Sequence, residues 1–258
     1  MVRSSTPVLV TIPISHFCEK ARWALDLAGV PYREEPLPPV FHMARTRSSG
    51  VGTSTPQLWL GERVIGQSSE IVAYADERKG GGFLLPRDEL ERAEVERWMA
   101  LLDEELGPHV RRYAYHHLLD RPDLVFPLMV HGVGAPQRVA FRVAFGPVRT
   151  LMRKAMRIEA ATAERSRARL RAALDTVGEA LADGRPYLVG GRFTAADLTL
   201  AALLSPFVDP PSYPVPVIAV EDLPAPLADE VRRTRQHAAG KHARAMYERH
   251  RRPAGGAS

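Results

Sequence analysis

Cysteine is nearly absent from this chain. One cysteine, Cys18, is all that 258 residues contain, which excludes an internal disulfide framework and any cysteine-rich metal site. The nine histidines show no HExxH or comparable ligand spacing, so no metal is expected. No stretch approaches the roughly 20 apolar residues that a membrane-spanning helix needs. The apolar run near the N-terminus is too short, and too interrupted by Pro13, for a signal peptide. It reads as a first strand, and the expected location is the cytoplasm.

What is present is ordinary for a globular protein: 45% hydrophobic and 25% charged residues, enough for one large domain or two modest ones. The net charge of +5 is unevenly placed. Residues 229–258 carry eight Lys or Arg against Asp229, Glu230 and Glu248, so the rest of the chain is balanced. The basicity belongs to one terminal helix and a short tail. Without aromatic platforms or a recognisable motif, it reads as a solvated helix face rather than a nucleic-acid surface.

The first 80 residues alternate strand and helix signals. Val8–Ile12 is a short β-rich run. Phe17, Ala21, Ala24, Leu25 and Ala28 recur with helical period until Gly29. Val30–Glu35 reads as a second strand, and 41–50 as a helix or loop. Gln57–Leu60 and Arg63–Ile65 flank Gly61-Glu62 as a hairpin. A helix then opens at Ser68 or Ser69. The glycines at 80–82 start the best linker. Beyond it the pattern is helical: Glu89–Leu106, which Pro108 bends or ends before a stretch that runs to about His117, a less regular proline-containing region over 118–150, then Ala160–Leu181, Thr194–Leu204 and a last helix over 224–252. An α/β half followed by an all-helical half predicts two domains with separate cores, 1–79 and 88–258, joined by a linker at 80–87.

Several residues carry chemistry by position. Ser15 stands where a strand hands over to a helix, where orphan N–H groups and the positive end of the helix dipole favour an anion such as a thiolate. A hydroxyl there can donate a hydrogen bond to a thiolate and lower the thiol's pKa; it can equally be a plain N-cap. Cys18, one turn on, is either a reactive helix-terminal thiol or a small buried hydrophobe. Thr55-Pro56 is a candidate cis bond, or the trans start of an edge strand. Gln67 and Ser68 open another helix. Thr194 and Asp197 form a structural capping box.

Four segments, in order, resemble the glutathione-transferase family: Ile14-Ser15-His16-Phe17-Cys18-Glu19-Lys20, Ser54-Thr55-Pro56-Gln57-Leu58, Gln67-Ser68-Ser69-Glu70-Ile71, and Leu188-Val189-Gly190-Gly191-Arg192-Phe193-Thr194-Ala195-Ala196-Asp197. The resemblance implies an α/β thioredoxin-like N-terminal domain followed by an all-α domain, and a homodimer. It places Ser15 at the thiol-activating position, with Phe17, Thr55, Pro56, Gln67 and Ser68 holding the thiol. Cys18 matches the dispensable cysteine of a CPFC-type pattern. Arg45, with His42, is the candidate for the glycyl carboxylate. Arg112, Tyr113, Tyr115, His116 and His117 are candidates for the electrophile pocket, Tyr113 and His116 foremost. Glutathione or another low-molecular-weight thiol is the implied cosubstrate. Only four of the 35 basic residues are lysine, an arginine bias common in high-GC bacteria, some of which use other thiols. The expected activity is conjugation of a small electrophile; a thiol-dependent isomerase or peroxidase, or a non-catalytic binding protein of the same fold, is the alternative.

Overall fold

The structure, a computed structural model, describes residues 6–251. Its sheet is built around β1 (Val8–Thr11), parallel to β2 (Arg33–Pro36) on one side and antiparallel to β3 (Gln57–Leu60) on the other. The strand β4 (Arg63–Ile65) completes the order β2-β1-β3-β4. Successive strand residues face opposite sides of a sheet, and Leu9 and Val10 are both wholly buried, so the central strand is covered on both faces. Helix α1 (His16–Ala28) ends where Gly29 turns left-handed at φ 68°, its N–H bonding back to Asp26 O. Val30 N–H reaches back in the same way to Leu25 O. That closure, a helix C-cap, occupies Val30 and delays β2 to Arg33, three residues later than the hydrophobic run suggests. Helix α2 (His42–Thr46) and a 3-10 turn at Arg47–Ser49 fill the 41–50 segment, and α3 (Ser68–Arg78) closes this half.

The linker is held rather than slack. The buried Asp76 carboxylate near the end of α3 accepts backbone N–H groups from Gly82, Phe83, Leu84 and Leu85 at 2.5–3.2 Å. Leu84 returns a carbonyl to Ala195 N–H at 2.9 Å, and Arg192 donates to Phe83 O at 2.7 Å. Leu84 and Leu85 are buried.

The helical half begins with α4 (Glu89–Glu105) and α5 (Gly107–Leu118), broken near Pro108 as expected. The stretch read as irregular is instead two helices, α6 (Pro122–Met129) and α7 (Ala135–Ala155). Pro122 and Pro136 sit in first turns, where no N–H is required, while Pro147 is tolerated inside α7. Helix α8 (Ala160–Ala180) buries Leu170, Leu174 and Val177. Helix α9 (Ala195–Val208) is buried almost throughout and is opened by the reciprocal Thr194/Asp197 box. The single last helix expected over 224–252 is two, α10 (Ala225–Gln236) and α11 (Ala238–His250), divided at His237; Arg252 lies outside the described residues. Gly240 permits the break, because a Cβ there would sit 1.8 Å from the Thr234 carbonyl oxygen.

The expectation of separate cores does not hold. One continuous buried cluster runs from Leu9, Trp23 and Leu58 through Leu102 and Leu203 to Met246 and Tyr247. The Trp23 ring on α1 packs against that of Tyr247 on α11, centroids 4.3 Å apart. Beside it the buried Glu19 receives Arg251 Nε at 3.0 Å and Tyr247 Oη at 3.3 Å, and Arg251 also donates to Asp26 at 2.6 Å. Part of the terminal basic run is therefore internal, not a solvated face. Among the described residues, no helix is long and apolar enough to cross a membrane.

Candidate active site

Ser15 is the N-cap of α1, with extended backbone (φ −75°, ψ 117°) and its Oγ accepting the Cys18 N–H at 3.4 Å. Its own N–H donates to Ile12 O at 3.0 Å, which fixes the turn out of β1. The hydroxyl thus accepts from the helix while its proton remains available to an anion at the helix's positive end. Across from it the Thr55-Pro56 bond is cis. The loop leading there is held by Thr46 Oγ1 donating to Thr53 O at 3.0 Å and Gln57 Nε2 donating to Gly52 O at 2.9 Å. Gln67 is the N-cap of α3, and the largely buried Ser68 begins it.

Two adjoining cavities meet at this point. A polar groove of about 720 Å³ is lined by Phe17, Thr55, Pro56, Gln67, Ser68 and Ser69 from the sheet half, and by Asp103, Glu104 and Arg111 from the helical half. An apolar cavity of about 350 Å³ holds Ser15 and His16 at one end, with Val110, Tyr115, Leu118, Met152, Phe207 and Ile218 among its walls. Ser54, Thr55 and Arg111 border both. The arrangement is a polar slot for an extended, charged molecule opening onto a compartment for an apolar one, with a hydroxyl beside the junction.

Electrostatics sharpen these roles. Cys18 is fully buried, and desolvation pushes its thiol up despite opposing pulls from Arg22 and Ser15. That makes it a poor nucleophile at neutral pH. His16 is held down to about 3 by burial and by the Arg111 charge, so it is neutral. Burial pushes the Tyr115 phenol up to about 12, leaving it a neutral donor. Lys20, wholly buried, bonds Asp103 at 2.7 and 2.8 Å and Ser69 at 2.8 Å; Ser69 in turn donates to Asp103 at 2.6 Å. Desolvation lowers the Lys20 pKa and Asp103 opposes it. This cluster ties α1, α3 and α4 together along one edge of the polar groove.

The structure places Phe17, Thr55, Pro56, Gln67 and Ser68 on the wall of the polar groove and Ser15 on the wall of the adjoining apolar cavity, with Thr55 bordering both. To neither wall does it bring Arg45, whose guanidinium stacks 3.7 Å over Trp59 and pairs with Glu35 at 3.4 Å. Its neighbour His42 lines the apolar cavity instead. Nor does it bring Tyr113 or His116: Tyr113 is buried, donates to Pro226 O at 3.1 Å and packs on His117, which packs on His116. Arg112 is bound to Met156 O and Ser166. Of the five candidates Arg112, Tyr113, Tyr115, His116 and His117, Tyr115 alone lines one of these two cavities. The face that does so runs Arg111, Ala114, Tyr115, Leu118. The i, i+4, i+7 spacing of Arg111, Tyr115 and Leu118 is the signal that would have set the helix's phase.

Comparison with known proteins gives the family. The chain matches the family models described as glutathione S-transferase, N-terminal domain, over residues 9–82, and glutathione S-transferase, C-terminal domain, over residues 160–229. The chain belongs to the glutathione S-transferase superfamily. A probable glutathione S-transferase BZ2 of Zea mays is 37% identical over 105 residues, covering 37% of this chain and 44% of that protein. Glutathione S-transferase U2 of Arabidopsis thaliana is 32% identical over 97 residues, covering 37% and 43%. The matched segment thus spans less than half the length of these curated relatives. In fold the likeness extends over nearly the whole chain. A glutathione S-transferase from Xanthobacter autotrophicus superposes with a TM-score of 0.62 at 19% identity, covering 95% of this chain and 93% of that one. The beta-etherase LigF of Sphingobium does so at 0.61 and 17%, covering 93% and 98%. The superfamily's two-part architecture, thioredoxin-like then helical, is the one observed here.

Proposed function

We propose that this superfamily member is a thiol S-transferase in which Ser15 activates a low-molecular-weight thiol, glutathione or an analogue, for attack on a small electrophile. The observation that carries the reading is the placement of the Ser15 hydroxyl at the start of α1, beside the wall shared by a polar groove and an apolar cavity. In this reading the Ser15 hydroxyl donates to the thiolate and favours its ionisation. The Thr55-Pro56 backbone pairs with the middle of the thiol peptide. Gln67 and Ser68, at the N-terminus of α3, hold its γ-glutamyl carboxylate. Phe17 walls the groove. The thiol's proton leaves to solvent, the C–S bond forms, and the electrophile's leaving group departs with its electron pair. The names of the relatives support glutathione as the cosubstrate. A homodimer in the cytoplasm is the assembly and location we propose.

A panel of cellular thiols tested by thermal shift checks this directly. One thiol should raise the melting temperature, because binding to the folded state adds RT ln(1 + [L]/Kd), about 2.7 kcal/mol at a hundredfold excess over Kd. If no thiol in the panel does so, the proposed function fails.

A further inference from the structure

The apolar cavity has one charge, and nothing in the protein answers it. Of the residues lining it, Arg111 alone carries a full charge, since burial lowers both His16 and His42 into the neutral form. Among the described residues Arg111 has no hydrogen bond or ion pair; its neighbours are the Phe17 ring, 5.9 Å from the guanidinium carbon, and the Tyr115 phenol. The contrast with Arg112 is direct, because that side chain is fully used in bonds to Met156 O and Ser166. Arg111 is exposed where the two cavities meet, so a ligand entering either one can reach its guanidinium. An anion seated there would gain a charge-assisted partner that no group among the described residues supplies to this guanidinium.

We propose that the apolar cavity takes an electrophile bearing a carboxylate, with Arg111 as its counter-ion and so a determinant of specificity. The inference rests on the thiol-transfer reading above. The planar guanidinium offers two parallel N–H donors that match a carboxylate. The rest of the cavity accepts an apolar body: Val110, Leu118, Met152, Phe207 and Ile218 contribute no charge. The place of Arg111 on the wall shared with Thr55 sets the bound acid at the junction, beside the Ser15 end. A carboxylate of the thiol itself is the other source of the same chemistry. The binding measurement below, made without any thiol, separates the two sources.

The test compares 4-chloro-3-nitrobenzoate with its methyl ester, each reacting with glutathione so that chloride leaves as the C–S bond forms. In Arg111→Gln, the acid-to-ester ratio of kcat/KM should fall at least about tenfold relative to the unaltered protein, the scale of one charge-assisted hydrogen bond. Arg111→Lys should keep part of that ratio. An unchanged ratio overturns the proposal, and if the KM for glutathione rises at the same time, Arg111 serves the thiol. Titration calorimetry with the unreactive pair 3-nitrobenzoate and methyl 3-nitrobenzoate, on the unaltered protein, needs neither turnover nor a variant. Tighter binding of the acid supports the proposal even if neither chloride turns over, in which case the thiol-transfer reading alone has failed. Binding of the ester as tight as that of the acid overturns it.

Discussion

At the residue scale the two side chains in the first turn of α1 divide the work by their surroundings. Ser15 is half-buried at the mouth of a cavity, whereas Cys18, three residues later, is enclosed with its thiol pushed up by desolvation. The sign of that shift sets an expected outcome: a thiol whose pKa is raised stays protonated as pH rises from 7 to 9. Alkylation of the folded protein by iodoacetamide should therefore remain slow across that range and become rapid on addition of denaturant. Fast labelling of Cys18 at pH 7.5 would show a thiolate that this burial forbids. Sequence alone left both readings of Cys18 open, because helical spacing says nothing of what encloses a side chain. Arg45 illustrates the same gap. Its position in a short segment near the site was legible, but not the cross-sheet Trp59 ring and Glu35 carboxylate that hold it elsewhere.

At the scale of elements, the hairpin was legible to the residue, since Gln57–Leu60 and Arg63–Ile65 are short runs flanking a two-residue Gly61-Glu62 turn. So was the capping box at Thr194. What was not legible was α7, where prolines read as breakers sit at a helix start and, once, inside the helix. The phase of α5 was also missed: its Tyr and His residues stood out chemically, but its less conspicuous face reaches the cavity. The linker shows a further feature that glycine content hides. Four backbone N–H groups converge on the Asp76 carboxylate. Replacing it with alanine leaves buried donors unsatisfied, at about 1–3 kcal/mol for such a group. Asp76→Ala should lower stability by about 2–4 kcal/mol in urea titrations, with Asp76→Asn, which keeps one acceptor, losing less. Equal stability of all three forms would mean that the linker is not held by this carboxylate.

At the scale of the whole molecule, the two halves share a core and a buried ionic junction. Trp23 against Tyr247, and Glu19 with Arg251, join the first helix to the last. Breaking a buried pair strands its partner, so Arg251→Met should cost about 3–5 kcal/mol, and pairing it with Glu19→Gln should restore part of the loss. The shared core also predicts cooperative unfolding. Thermal transitions followed by tryptophan fluorescence and by far-UV circular dichroism should coincide; two resolved transitions would restore the separate cores that the sequence pattern suggests. This continuity positions the site, because the walls of both cavities come from the sheet half and the helical half together.

The central claim concerns the Ser15 hydroxyl, and the ultraviolet absorbance of bound glutathione's thiolate, titrated against pH, tests it most directly. In the unaltered protein the bound thiol should ionise at a pH below that of the free thiol. In Ser15→Ala its pKa should move back by about one unit, which is about 1.4 kcal/mol of lost thiolate stabilisation. Identical titration curves for the two proteins, with glutathione bound to both, would contradict the account.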